Sequence, residues 1–273
     1  MHLIKAVSDW LKPPQLITQS SALWIVDCFA YAFKYLDKEE FIQRTQLIKP
    51  SNQFFPGAVA SVEEKAENIF KHSLGFSGLA HWPFQLLHPS KVATIGDANI
   101  RMHRDGQLDT ARNSRQVISC ADFSQGSIFL SYNPQQTLKA EDLAASYGQL
   151  FAQHLIYQAR HLPPNGAQYL QEASEVVAVF MGFGVMMANS AYTFRGGCGS
   201  CFNAASNRQA NLTENEIIFA LAMFCKLKKI TAKEGTLHLK KHLKRPFLTA
   251  SRQIDLLINS APHLLKGPLL DLL

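Results

Sequence analysis

The stretch QLFAQ, residues 149–153, places two polar residues four positions apart within an apolar segment. Zinc peptidases use this spacing on a helix. Two histidines one turn apart bind Zn²⁺, and a glutamate directly after the first histidine deprotonates the zinc-bound water. Here Gln149 and Gln153 stand at the histidine positions and Leu150 stands at the glutamate position. Because a carboxamide is a weak zinc ligand and leucine accepts no proton, hydrolysis is not expected.

A zinc site of this kind takes its third ligand from a later helix. Glu172 and Glu175 lie one turn apart in the following helical segment, and Glu175 comes 22 residues after Gln153. Glu175 is therefore the candidate third ligand, and Glu172 is a further candidate in the cleft. His154 is placed to meet Glu175 across the helix pair, although a histidine within the core is the simpler interpretation. No zinc is expected in the 149–175 cleft, because both histidine positions hold glutamine.

A second group of residues that could do chemistry is the pair Cys198 and Cys201 in RGGCGSCFN. Two such cysteines can hold half of a tetrahedral zinc site, form a reversible disulfide or exchange thiols. A structural zinc would need two more ligands, and Cys225 and His238 are candidates if the fold brings them near. Two loop cysteines with no chemistry remain an equal alternative.

Composition indicates a globular protein. The chain has 273 residues, of which 47% are hydrophobic and 18% charged, so it can bury a sizeable core. No apolar run reaches the roughly 18 residues that span a membrane. The N-terminus, MHLIKAVSDWLKPP, is a poor signal peptide, and five cysteines do not suggest a disulfide framework. A cytoplasmic protein is expected.

The net charge of +6 is unevenly distributed. Residues 226–252 contain nine Lys or Arg and a single acid, Glu234. Such a segment can bind nucleic acid or phosphate, but it is more often the solvated face of terminal helices. We therefore expect solvated side chains here and no physiological nucleic-acid partner; the side chains are those of Lys240, Lys241, Lys244 and Arg245.

The pattern along the chain predicts an α+β fold, with a helical N-terminal region (1–88) and an α+β region (89–273). Capping pairs at Asp37/Glu40, Ser61/Glu64 and Thr213/Glu216 predict helix starts. Four β-prone runs predict a small mixed or antiparallel sheet: KVATI, NIRMH, QVISC and SIFLSYN. Further helices are predicted over 139–161, 167–191, 213–228 and 249–260. Strands followed by helices are typical of α+β proteins.

Several segments resemble a family of uncharacterised bacterial proteins with a zincin-like fold: WIVDCFAYAF, the FFPG loop, HWPFQLL, SYGQLFAQHLIY, SEVVAVFMGFGVMMANSA and LTENEIIFALAMF. The resemblance extends from about residue 24 to about residue 227. In that family the helix carries an intact HExxH motif. The resemblance implies that Gln149 and Gln153 replace the two zinc-binding histidines and that Leu150 replaces the catalytic glutamate. It also implies that Glu175 corresponds to the residue that serves as the acidic third zinc ligand in that family.

These observations favour a non-catalytic protein with a binding or regulatory role. The cleft between helices 139–161 and 167–191 would accept a peptide, a protein segment or a small ligand. Two alternatives stay open. One is a hydrolase or a redox or metal enzyme that uses the cleft acids with His154, or the pair Cys198 and Cys201. The other is a weak nucleic-acid or phosphate binder that uses the basic C-terminal segment.

Overall fold

The computed structural model describes residues 15–91, 128–191, 208–260 and Leu269. These residues form helices and two short strands, which confirms the predicted α+β class. The helices are α1 (Gln19–Tyr35), α2 (Lys38–Gln43), α3 (Val62–Ser77), α4 (Ala140–Gln158), α5 (Leu170–Ala178), α6 (Gly184–Ala191), α7 (Glu214–Leu227), α8 (Ala232–Gly235) and α9 (Lys241–Ser260). The strands are β1 (Phe84–Leu87) and β2 (Ile128–Ser131).

The predicted capping residues begin three of these helices. The side chains of Asp37 and Ser61 each accept a hydrogen bond from the backbone N–H three residues later. Thr213 forms the full reciprocal box, because its hydroxyl accepts from the N–H of Glu216 and that carboxylate accepts from the N–H of Thr213. These caps satisfy N–H groups that have no partner within the helix.

The sheet differs from the prediction. β1 pairs with β2 in parallel, with Phe84 opposite Ile128 and Leu86 opposite Leu130. The antiparallel alternative is therefore wrong for this pair. β1 also lies within the region predicted to be helical. Pro83 precedes it, and a proline disfavours helical backbone in the residue before it. The runs NIRMH and QVISC, and the run KVATI beyond its first residue, lie outside the described residues.

The predicted helix over 167–191 is interrupted. α5 passes through a π-helical turn, Val179–Phe183, before α6 begins, and Gly182 within this turn has a φ of 101°. The backbone N–H of Ile48 donates to the carbonyl of Gly182 (3.0 Å). A Cβ atom at position 182 would lie 2.2 Å from the carbonyl oxygen of Gln46. The glycine thus allows an extended segment of the N-terminal region to cross the turn.

α9 begins eight residues before the predicted helix, which was expected to start only at residue 249. Pro246 lies inside the helix, in its second turn. The basic side chains expected to be solvated are exposed, namely those of Lys240, Lys241, Lys244 and Arg245.

One hydrophobic core joins helices from both ends of the chain. At its centre the ring of Phe180 stacks on that of Phe41 (4.6 Å between centroids) and meets that of Phe33 edge-on (5.2 Å). Phe41 also meets Phe224 of α7 edge-on at 5.5 Å. α1, α2, α7 and the turn between α5 and α6 are therefore fixed around a single aromatic cluster.

Within the part of the chain that the structure describes, one stretch is long and apolar enough to cross a membrane, Ala167–Ala191. Its apolar window is entirely buried inside the protein. It has the character of a core helix, and the fold is compatible with a soluble protein.

Candidate functional site

The two helices that carry the zinc-site positions lie against each other in opposite directions. Gln149 of α4 is level with Glu175 of α5, and both side chains are buried. One turn further along α4, the side-chain N–H of Gln153 donates to Oε1 of Gln171 (2.5 Å) at the exposed end of the pair. The structure therefore places Gln149 and Glu175 in one buried region, and Gln153 outside it.

The space between Gln149 and Glu175 holds the side chain of Arg208, which precedes α7. Its Nη1 donates to Oε1 of Gln149 (3.0 Å) and to Oε1 of Glu175 (2.5 Å). Its Nε donates to the hydroxyl of Ser190 (3.0 Å). Only 3% of Arg208 is exposed to solvent. A guanidinium cation thus bridges two of the side chains that would be ligands in a zinc site.

The carboxylate of Glu175 is fully engaged with protein donors. Besides Arg208, it accepts from the backbone N–H of Asn211 (3.0 Å) and from that of Leu212 (2.9 Å). These two groups lie directly before Thr213, the N-cap of α7. Charge-assisted hydrogen bonds of this kind offset the cost of burying the ion pair. Glu175 therefore holds the chain at its entry into α7.

A zinc ion does not fit these residues. Gln149 offers only a carboxamide, and the side chain of Gln153 is hydrogen-bonded to Gln171 of α5. Both carboxylate oxygens of Glu175 already accept hydrogen bonds from protein donors. Leu150 packs against the hydrophobic core and supplies no base. Among the described residues, no group of three or more His, Cys, Asp or Glu is arranged to hold a metal.

The remaining cleft candidates lie apart from this cluster. His154 is buried, and its ring meets that of Phe84 edge-on at 5.4 Å. Burial lowers its pKa to about 4, so the imidazole is neutral near pH 7. No hydrogen bond or ion pair within the described chain joins it to Glu175. Glu172 is half-buried, and its Oε2 is buried without a hydrogen-bond partner in the structure.

The residue that completes the cluster, Arg208, was missed by sequence reasoning. A usable signal existed in Glu175, which stands in a long apolar helical run. An ionised carboxylate at such a position requires a cationic or N–H partner. The partner is 33 residues away in the chain, and no local pattern marks it. Ser190 and Asp142, which bond the side chain and the backbone of Arg208, were missed for the same reason.

The cysteine pair Cys198 and Cys201 lies outside the described residues. Of the two further ligands suggested for it, Cys225 is buried in α7, and burial raises its pKa to about 12. Burial therefore disfavours the thiolate form, which is the form that binds zinc, in the absence of a metal. His238 accepts a hydrogen bond at its backbone carbonyl from the side chain of Asn189 (2.9 Å).

Several side chains of the basic segment serve contacts within the protein. Lys226 forms an ion pair with Asp255 (2.5 Å). The Nζ of Lys228 donates to the backbone carbonyls of Phe41 and Ile42 (2.7 and 3.0 Å). These carbonyls lie at the C-terminal end of α2, where a cation is favourable. Part of the local positive charge is therefore structural.

Among the described residues, the site thus consists of a buried ion pair between two antiparallel helices, with leucine at the position after Gln149. Comparison of the chain with models of known protein families, with curated proteins and with solved structures finds no match.

Proposed function

We propose that this chain is a non-catalytic, cytoplasmic protein with a binding or regulatory role. In this proposal α4 and α5 form a zincin-like helix pair in which an ion pair has taken the place of a metal centre. The observation that carries the proposal is the position of Arg208, whose Nη1 bridges Gln149 and Glu175. A guanidinium is permanently charged and cannot act as a Lewis acid or proton acceptor.

Two physical arguments support the absence of hydrolysis at this site. A metal would have to displace Arg208 from the Glu175 carboxylate, which would leave a buried guanidinium without its counter-charge. The residue after Gln149 is a leucine, so no side chain at this position can deprotonate a water molecule. The same arguments weigh against the alternative in which Glu175 serves a hydrolase.

The test is zinc binding by the purified full-length protein, prepared without chelator. Elemental analysis and competition with a chromogenic chelator should give no site that depends on the 149–175 cleft. Any zinc that is found should disappear in Cys198→Ser/Cys201→Ser and persist in Glu175→Gln. Zinc that is lost in Glu175→Gln, in a protein that remains folded, would contradict the proposal.

A further inference from the structure

A cavity of about 590 Å³ lies between the loop around residues 50–59, α3 and the first turn of α4. This volume falls within the roughly 300–1,000 Å³ of small-molecule sites. The cavity is separate from the Arg208 side-chain cluster, although Asp142 touches both, since it lines the cavity and its Oδ2 accepts from the backbone N–H of Arg208 (3.3 Å).

One wall of the cavity is apolar, formed by Phe55, Val59, Ile69 and Met186. The two phenylalanines of the FFPG loop differ in burial. Phe54 is buried, with its ring 5.2 Å from that of Phe76 on α3. Phe55 is half-buried and lines the cavity. Burial of the first ring anchors the loop, so the second is held as part of the wall.

The polar wall carries more cations than free anions. Lys65, Lys139 and Lys240 line it, together with Glu141 and Asp142. Both acids have partners within the protein. Burial is the largest influence on each carboxyl group and raises the pKa of both. The backbone N–H of Arg208 opposes this effect at Asp142, and Asn189 and Lys240 oppose it at Glu141.

Lys65 is the cation that remains available. No acidic side chain of the described residues lies within ion-pair distance of its Nζ. The N-terminus of α4, a helix of 19 residues, also borders the cavity, and its N-cap Lys139 makes no side-chain capping bond. The unpaired N–H groups of a helix start favour an anion. Cation and helix terminus therefore both favour a negatively charged group.

Asn68 adds an acceptor beside that cation. Its Nδ2 donates to the carbonyl of Pro56 (2.9 Å), which orients the amide. Its Oδ1 is buried and has no hydrogen-bond partner. Lys65, Asn68 and Ile69 are three and four positions apart on α3, so they share one helix face. A buried acceptor without a donor is costly. Because Oδ1 is almost fully shielded from solvent, a ligand N–H or O–H group would satisfy it after a small shift of the amide toward the cavity.

We infer that this cavity binds a small apolar carboxylic acid that carries an N–H or O–H donor close to its carboxylate, such as an N-acylated apolar amino acid or the corresponding hydroxy acid. The carboxylate pairs with Lys65 and the start of α4, the donor bonds to Oδ1 of Asn68, and the apolar body lies against Phe55 and Met186. The inference rests on the proposed binding role and names its ligand.

The first experiment is isothermal titration calorimetry of the full-length protein with three matched compounds. N-acetyl-L-phenylalanine has the carboxylate, the donor and an apolar body. N-acetyl-L-phenylalaninamide lacks the carboxylate, and 3-phenylpropanoate lacks the donor. We expect saturable one-site binding of the first compound, and binding about tenfold weaker for each of the others. L-phenyllactate then distinguishes an O–H donor from an N–H donor.

The second experiment uses two variants on the same helix. Lys65→Met should weaken binding of N-acetyl-L-phenylalanine about tenfold. Lys71→Met removes an exposed lysine of α3 that does not line the cavity, and it should bind like the wild type. Absence of saturable binding, equal binding of acid and amide, or an equal effect of the two lysine variants would overturn the inference. Each of these outcomes is independent of the zinc measurement that tests the proposed function.

Discussion

The Nη1 atom of Arg208 lies 2.5 Å from Oε1 of Glu175, and both side chains are almost wholly buried, at 3% and 0% exposure. Glu175 belongs to α5 and Arg208 precedes α7, so this ion pair connects α5 to the start of α7. Arg208 also contacts Gln149 of α4. The same side chain of Arg208 fills the space between Gln149 and Glu175.

The first prediction concerns the stability of this ion pair. Arg208→Met leaves the Glu175 carboxylate buried without its cation, and Glu175→Gln leaves the guanidinium buried without its anion. Each should lower the free energy of unfolding by about 3–5 kcal/mol. The double variant should be destabilised by clearly less than the sum of the two, as measured by urea unfolding followed by circular dichroism.

An exposed ion pair provides the control for this comparison of single and double variants. Lys226 and Asp255 are 43% and 49% exposed, so Asp255→Asn should change the free energy of unfolding by less than about 1 kcal/mol. Additive effects at Glu175 and Arg208 would show that the two side chains do not act as a pair.

The second prediction concerns the interruption between α5 and α6. Gly182→Ala places a Cβ atom 2.2 Å from the carbonyl oxygen of Gln46, at a φ of 101°. Relief of this contact requires movement of backbone, so we expect a loss of more than about 2 kcal/mol in the free energy of unfolding. Gly75→Ala is the matched control, since a Cβ at this helical position meets nothing within 4 Å. It should be neutral or stabilising by up to about 1 kcal/mol, and similar thermal unfolding of the two variants would refute the prediction.

The third prediction is a pH dependence caused by His154. Burial lowers its pKa from 6.5 to about 4 in the folded protein, so between these values the unfolded chain binds a proton that the folded chain does not. Its contribution to stability is therefore present above pH 6.5 and is lost as pH falls toward 4, by about 3 kcal/mol in total.

The measurement is the free energy of unfolding of the wild type and of His154→Leu between pH 4 and pH 7. As the pH falls from 7 to 4, the free energy of unfolding of the wild type should decrease more than that of His154→Leu. A difference that stays constant over this range would show that His154 is not buried in its neutral form.

The fourth prediction concerns the basic C-terminal segment. Lys244 and Arg245 are exposed, so the protein should bind double-stranded DNA weakly at low salt. Binding should disappear at about 0.15 M salt, where exposed charges are screened and few counterions are released. The measurement is fluorescence anisotropy of a labelled duplex across a salt series. Sequence-preferring binding that persists at this salt concentration would restore the nucleic-acid alternative.

Sequence predicted the parts of this fold that local chemistry determines. The starts of α3 and α7 follow from Ser61 and Thr213, because a capping residue acts within one turn of its own helix. The placement of Gln149 level with Glu175 also follows from sequence, since two consecutive helices with a short connection pack in opposite directions.

Features that depend on contacts distant in sequence were not predictable in this way. Arg208 meets Gln149 across 59 positions and Glu175 across 33, and nothing near Arg208 marks it as their partner. The break at Gly182 depends on a carbonyl of residue 46, so the helical pattern around it appears uninterrupted. The parallel pairing of β1 and β2 joins residues more than 40 positions apart, so no local pattern in either strand indicates its partner.

The zinc affinity of two designed variants tests the central claim, that Arg208 occupies the position of a metal. The first variant carries Gln149→His, Leu150→Glu and Gln153→His with Arg208 retained, and the second adds Arg208→Ala. Competition with a chromogenic chelator, in protein shown to be folded, should give no gain in zinc affinity for the first variant. It should give a gain of at least about tenfold for the second. Loss of Arg208 removes one of the donors to Glu175, and imidazoles at 149 and 153, one turn apart on α4, can then share an ion with this carboxylate once the side chain at 153 turns away from Gln171. Tight zinc binding by the first variant, or none by the second when folded, would contradict the claim.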